Sequence, residues 1–189
     1  YPTLNKKTPS PVMAYFSLLT HRETELTRFQ RVPHFDSLNV DYFALVHYLN
    51  PGNFGGTGFF RHRPTGFERL TQDRFPQFTQ AAEGHFRMHG EPAAQYIRGS
   101  DDHFELIATM NYRPNRIIAY LGNLSHSGIA HLEQDIDANP VTGRLTANLF
   151  SAVRLKLFVR LSGSQSLTTE EMAVFPYELV CRIPNSLFF

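Results

Sequence analysis

Apolar positions along the chain gather into short runs, each broken by proline, glycine or asparagine, and most of the runs are strand-sized. Residues 1 to 11 are polar with Pro2, Pro9 and Pro11, which predicts an extended lead-in. Val12 to Thr20 (VMAYFSLLT) reads as a buried strand, and His21 to Leu26 as a charged loop. Phe29 to Phe35 resumes an extended pattern, with Pro33 opposing a long helix. Tyr42 to Leu49 (YFALVHYL) is a further strand, stopped by Asn50-Pro51-Gly52-Asn53. Gly55, Gly56 and Gly58 lead into a short aromatic and basic strand over Thr57 to Arg63.

The texture changes near Thr71. From there to about Met110 the chain is rich in Gln, Ala, Glu, His and Met and poor in β-branched residues. That composition predicts two or three short helices, interrupted near Gly90-Glu91-Pro92 and Gly99-Ser100. Asp101 or Asp102 would cap a helix running through Ile107. Strand character returns at Asn115 to Leu121, and His126 follows a turn at Gly122-Asn123. Residues 131 to 143 read as a loop, and Arg144 to Phe150 alternates so that Arg144, Thr146 and Asn148 share one face. Strands, a helical insertion at about 71–110, then more strands predict a mainly β domain over 1–150, an antiparallel sandwich or jelly roll. Residues 151–189 carry a basic, apolar segment (Val153 to Leu161) that reads as an edge strand, then a Ser-rich stretch, and are expected to complete the same domain or stand apart from it.

Composition narrows the function classes. With 42% apolar and 13% aromatic residues the chain can bury a core, which excludes wholesale disorder. Eighteen basic residues against seventeen acidic ones give a net charge of +1, without the basic excess of a dedicated nucleic-acid binder. The single cysteine, Cys181, excludes an intramolecular disulfide and any zinc site built on paired thiolates. No apolar run approaches the roughly 18 residues of a membrane helix. The expectation is a soluble, cytoplasmic protein with no membrane partner, whose native start lies upstream of Tyr1.

Nine histidines direct attention to metal chemistry. In an extended segment His34 and Asp36 point to the same side, so an imidazole and a carboxylate can converge on one ion. Adding a distant histidine gives the facial triad of two imidazoles and one carboxylate that leaves positions open on Fe(II). Composition alone gives about 0.3 chance occurrences of such an H-x-D pair, so it carries little by itself. The order of the other parts carries more: a strand, a Gly-Gly turn, a later strand leading to His126, and Arg144 on a last strand, where a guanidinium can clamp a dicarboxylate with the Thr146 hydroxyl beside it.

The segments PHFDS, YFALVHYLNPGNFGGTGFFRHR, NRIIAYLGNLSHSG and TGRLTANLF resemble the iron and 2-oxoglutarate dependent dioxygenases of the prolyl 4-hydroxylase-like type. They are similar more closely to the bacterial DUF6445 family, over roughly residues 12 to 150. The resemblance implies a double-stranded β-helix (a cupin-like jelly roll), with His34, Asp36 and His126 as iron ligands and as the catalytic centre. It implies Arg144, helped by Thr146, on the distal carboxylate of 2-oxoglutarate, with molecular oxygen as the other cosubstrate. The implied activity is hydroxylation of an amino-acid, peptidyl or small-metabolite substrate with release of succinate and carbon dioxide. Retention of Asp36 argues against halogenation. Two other classes stay in view: a non-catalytic jelly-roll binding module whose metal site is structural or vestigial, and a zinc hydrolase using the same ligands. Tyr15 and Gln30 are placed near the cosubstrate on position alone. His47 reads as a core or surface strand position, and Arg61-His62-Arg63 as a solvated cluster, with contact to an anionic substrate group as the alternative.

Overall fold

Alternation in the sequence becomes burial in the structure, a computed structural model that describes residues 11–151 and 177–179. The chain runs β1 (Pro11–Ser17), β2 (Phe43–Tyr48), β3 (Thr57–His62), α1 (Phe75–His89), β4 (Phe104–Met110), β5 (Ile117–Leu121), β6 (His126–Gly128), α2 (Leu132–Asp135), β7 (Thr146–Ser151) and β8 (Tyr177–Leu179). It is mainly β, with two antiparallel sheets in the orders β1-β7-β2-β5-β8 and β4-β3-β6.

In β2, Ala44, Val46 and Tyr48 are buried while Phe43, Leu45 and His47 are half-buried. Their partners across β5, Tyr120 for Ala44 and Ile118 for Val46, turn inward at the same positions. With Phe54, Phe59, Tyr112, Leu124 and Phe150 they form the largest buried cluster. Each fully buried apolar side chain contributes about 1.5–3 kcal/mol, so this layer holds the sheets together. Strand β3 is different: TGFFRH is buried at every position but Arg61. Its sheet is covered on the other face by α1, where Phe78 meets the His62 ring at 4.6 Å and Phe86 meets His103 at 4.8 Å. A strand packed on both sides loses the polar alternation of a half-exposed one.

The 71–110 region departs from the expected run of helices. It contains one helix, α1, which begins with Pro76 in its first turn and ends at Gly90 (φ 92°). The remainder delivers β4, not a helix through Ile107. The reason is tertiary: β3 has an open edge, and pairing Thr57 with Met110 through His62 with Phe104 satisfies its backbone. Asp101 accordingly caps a turn; its Oδ1 accepts from the N–H of His103 (2.8 Å) and Phe104 (2.7 Å) just before the strand. Smaller differences follow local capping. Phe29 to Phe35 begins in a 3-10 turn over Arg28–Arg31, and the polar stretch 131 to 143 encloses the single turn α2. The lead-in before Pro11, the basic segment Val153 to Leu161 and Cys181 lie outside the described residues. Among the described residues no helix is long and apolar enough to cross a membrane.

Candidate metal centre

Pro33 keeps the chain extended, and His34 then pairs with His126 as one antiparallel step beyond the end of the small sheet. The two residues exchange both backbone hydrogen bonds, His34 N to His126 O at 2.8 Å and His126 N to His34 O at 3.0 Å. Two residues on, the N–H of Asp36 donates to Gly122 O at 2.7 Å. The period of two turns His34 and Asp36 to one side and sends Phe35 to the other, where its ring meets Phe78 of α1 edge-on at 5.4 Å. The sequence spacing therefore acts twice, aiming the ligands and anchoring the segment that carries them.

His34, Asp36 and His126 each offer an atom within 4.8 Å of the others. His34 Nε2 lies 3.9 Å from Asp36 Oδ1, and His126 Nε2 lies 3.5 Å from Asp36 Oδ2. These separations are too long for good hydrogen bonds, and Asp36 Oδ2 is buried with no hydrogen-bond partner. The Nδ1 of His126 is 2.8 Å from Leu124 O and donates to it, which leaves Nε2 as the lone-pair nitrogen facing the carboxylate. That carbonyl-oriented arrangement is typical of metal-binding imidazoles. His126 is buried and Asp36 nearly so, while the side chain of His34 is 56% exposed at the rim.

Burial sets the charge states. It holds His126 down at about 4, against the opposing pull of the Leu124 carbonyl. It lowers His34 as well, helped by neighbouring His126 and opposed by Asp36; exposure at the rim makes His126 the more firmly neutral of the two. Burial lifts Asp36 to about 6, with His34 pulling the other way. Near pH 7 the cluster is thus two neutral imidazoles and a carboxylate, a set of lone pairs with one net negative charge. A divalent cation fits that set, and the unpartnered Asp36 oxygen is the atom it would satisfy.

The other expected site residues lie elsewhere. Arg144 is buried and precedes β7; its Nε donates to Gly55 O at 2.7 Å and its Nη2 to Gly56 O at 3.0 Å. Asp135, fully buried, stands 3.8 Å from Nε and also accepts from the N–H of Gly55 and of His131. The Nη1 of Arg144 makes no hydrogen bond among the described residues. Thr146 joins a hydroxyl and amide group instead, with Ser17 Oγ at 2.8 Å and Asn148 Nδ2 at 3.2 Å. Between these and the triad stands Tyr120. Its ring packs on His126 at 4.6 Å, and its phenol feels both Asp36 and Arg144 while burial raises its pKa. Tyr15 stacks on Phe150 at 5.6 Å and feels the Asp36 charge, whereas exposed Gln30 accepts from Thr27 and closes its own turn. His47 reaches Asn115, and Arg61 pairs with Glu68 and Glu105. Asp135, Tyr120 and Ser17 carry no signal in the sequence; each matters only because a distant strand passes it.

Two antiparallel sheets with a candidate metal centre of two histidines and one carboxylate at the end of the smaller sheet define the class of protein. The chain belongs to DUF6445, a family of unknown function whose pattern matches residues 2–151. No curated protein and no solved structure matches it.

Proposed function

We propose that the protein is a non-heme Fe(II)/2-oxoglutarate-dependent oxygenase that hydroxylates an amino-acid, peptidyl or small-metabolite substrate. One observation carries the reading. His34 and Asp36, two residues apart, converge with the distant His126 around a buried carboxylate oxygen that has no partner. Strand order supports it. With the 34–36 segment counted beside β6, the large sheet reads β1-β7-β2-β5 with β8 added at its edge, and the small one reads 34–36, β6, β3, β4. That order supports the two-sheet jelly-roll reading, with the triad at the end of the smaller sheet.

Bound there, ferrous iron with 2-oxoglutarate and oxygen supplies oxidative decarboxylation to succinate and carbon dioxide, coupled to oxidation of a substrate C–H bond. The chain's own residues do the rest. His34, Asp36 and His126 would hold the ion, and three protein ligands would leave room for further ones. The Leu124 carbonyl fixes the tautomer of His126, and Tyr120 and Phe59, edge to face at 5.3 Å, wall the inner side against water. Arg144, through the Nη1 that the backbone leaves over, and Thr146 with Ser17 and Asn148 are the groups offered to a distal carboxylate.

A second reading, a binding module without turnover, is favoured by Arg144 itself. Two of its donors and its charge are already engaged by Gly55, Gly56 and Asp135. Anaerobic titration with Fe(II) and 2-oxoglutarate separates the two. The oxygenase gives the weak visible charge-transfer band of the chelate, lost in His34→Ala, and turns over 2-oxoglutarate to succinate in air. Iron binding with neither band nor succinate would leave the binding module.

A further inference from the structure

A second group of histidines lies away from the triad, where α1 covers the small sheet. His85 and His89 are one turn apart on the same face of α1, with ring centroids 4.1 Å apart and nearly parallel. His103, just before β4, meets the His85 ring edge-on at 5.1 Å. His103 is only 5% exposed, and its Nδ1 is buried with no hydrogen-bond partner. An imidazole nitrogen kept dry and unsatisfied is costly, and α1 packs against it where an apolar residue would fill the space without that cost. The Nε2 of His85 donates to Asp102 O at 3.0 Å, leaving its Nδ1 as the lone-pair nitrogen. A backbone carbonyl thus orients His85 as Leu124 orients His126. The carboxylates of Asp101 and Asp102 lie within electrostatic reach of His103 and make the surroundings favourable to a cation.

We infer that His85, His89 and His103 form a second metal site, for a borderline divalent transition cation such as Zn(II), with the Asp102 carboxylate or water completing the set. As the rings lie, their donor atoms do not converge. His89 is the exposed member of the three, and metal binding here requires its side chain to turn towards His85 and His103. Three imidazoles select differently from the triad: a set dominated by nitrogen donors suits zinc, nickel and copper, whereas two imidazoles with one carboxylate suit ferrous iron. A cation here ties the end of α1 to the segment entering β4, across the layer that also backs Phe35 through Phe78. The site is therefore structural or regulatory, and it does not depend on the function proposed for the triad.

The test is zinc stoichiometry on tag-free protein, measured by competition with a chromophoric chelator. The double variant His34→Ala/Asp36→Ala removes the triad and is expected to keep one equivalent of zinc. That equivalent disappears when His89→Ala is added, and again when His85→Ala is added in its place; both positions are accessible enough for the fold to survive. Zinc should also raise the melting temperature of the double variant and leave that of the triple variants unchanged. Co(II) in the double variant should give the visible bands of a nitrogen-ligated ion. No zinc bound by the double variant, or zinc retained in both triple variants, overturns the proposal.

Discussion

His34 and His126 exchange two backbone hydrogen bonds, at 2.8 and 3.0 Å, and hold their rings 4.3 Å apart. That pair places two potential ligands side by side before any ion is present, so little of the binding free energy is needed to gather them. Asp36, fixed by Gly122, completes the group.

Such preorganisation is costly to the metal-free protein. Asp36 keeps a carboxylate oxygen buried without a partner, and its pKa is lifted to about 6 mainly by burial. Between the ordinary carboxylate value and about 6 the folded state holds a proton that the unfolded state releases, so the metal-free protein loses stability as pH rises through that window. Asp36→Asn removes the charge. It should raise metal-free stability at pH 7 by on the order of 2 kcal/mol while weakening Fe(II) binding at least tenfold. Urea unfolding and iron titration on the same samples check both halves; a variant destabilised at pH 7 would refute the account of the carboxylate.

Arg144 has a structural duty whatever its part in binding. Arg144→Ala strands the buried carbonyls of Gly55 and Gly56 and the charge of Asp135, and should cost about 3–5 kcal/mol. Arg144→Lys keeps the charge beside Asp135 but cannot span both carbonyls. It should therefore fold with a smaller loss and, if the proposed oxygenase reading holds, bind 2-oxoglutarate at least tenfold more weakly. Isothermal titration of the lysine variant decides it, since unchanged affinity in that variant removes Arg144 from the cosubstrate site.

The Gly-Gly turn is a backbone crossing point. A Cβ on Gly55 would run into the Ile129 carbonyl and one on Gly56 into the Met110 carbonyl, neither of which can swing aside as a side chain can. Gly55→Ala should cost about 3 kcal/mol or more and reduce soluble yield, whereas Gly99→Ala, with open space around it, should be close to neutral. Thermal unfolding of the two variants in parallel tests the contrast.

Acid stability should depend on His62. Its ring is buried against Phe78 and Phe104, with one nitrogen bonded to the Thr65 hydroxyl and the other unpartnered. Burial first, then His85 and His103, hold it down at about 4. Its unfolded value is near 6.5, so between 6.5 and 4 the unfolded chain binds the extra proton. The stabilising contribution is whole above 6.5 and is lost as pH falls towards 4. His62→Phe should flatten the stability profile across that window. An unchanged acid slope would place the sensitivity in other groups.

Much of the fold could be read directly. β2, β3, β5 and β7 lie within two residues of the runs that predict them, because alternation in a sheet with one buried face is a local pattern that also fixes which side chains turn inward. The H-x-D pair was legible for the same reason: two residues apart in an extended chain means one side. β4 was not legible. Phe104–Met110 is compatible with either period, and only the open edge of β3 makes it a strand.

The sequence by itself thus determined the mainly β class and the shared direction of His34 and Asp36, both consequences of a backbone period of two. Which histidine joins them, and what holds Arg144, were decided by tertiary structure. His126 reaches His34 because β6 lies beside that segment, ninety residues on from Asp36. Arg144 meets Gly55, Gly56 and Asp135 because those backbones cross where buried carbonyls and a buried carboxylate need a cation and its donors. Hydrogen-bond satisfaction between distant segments is a property of the assembled sheets, and no local pattern encodes it.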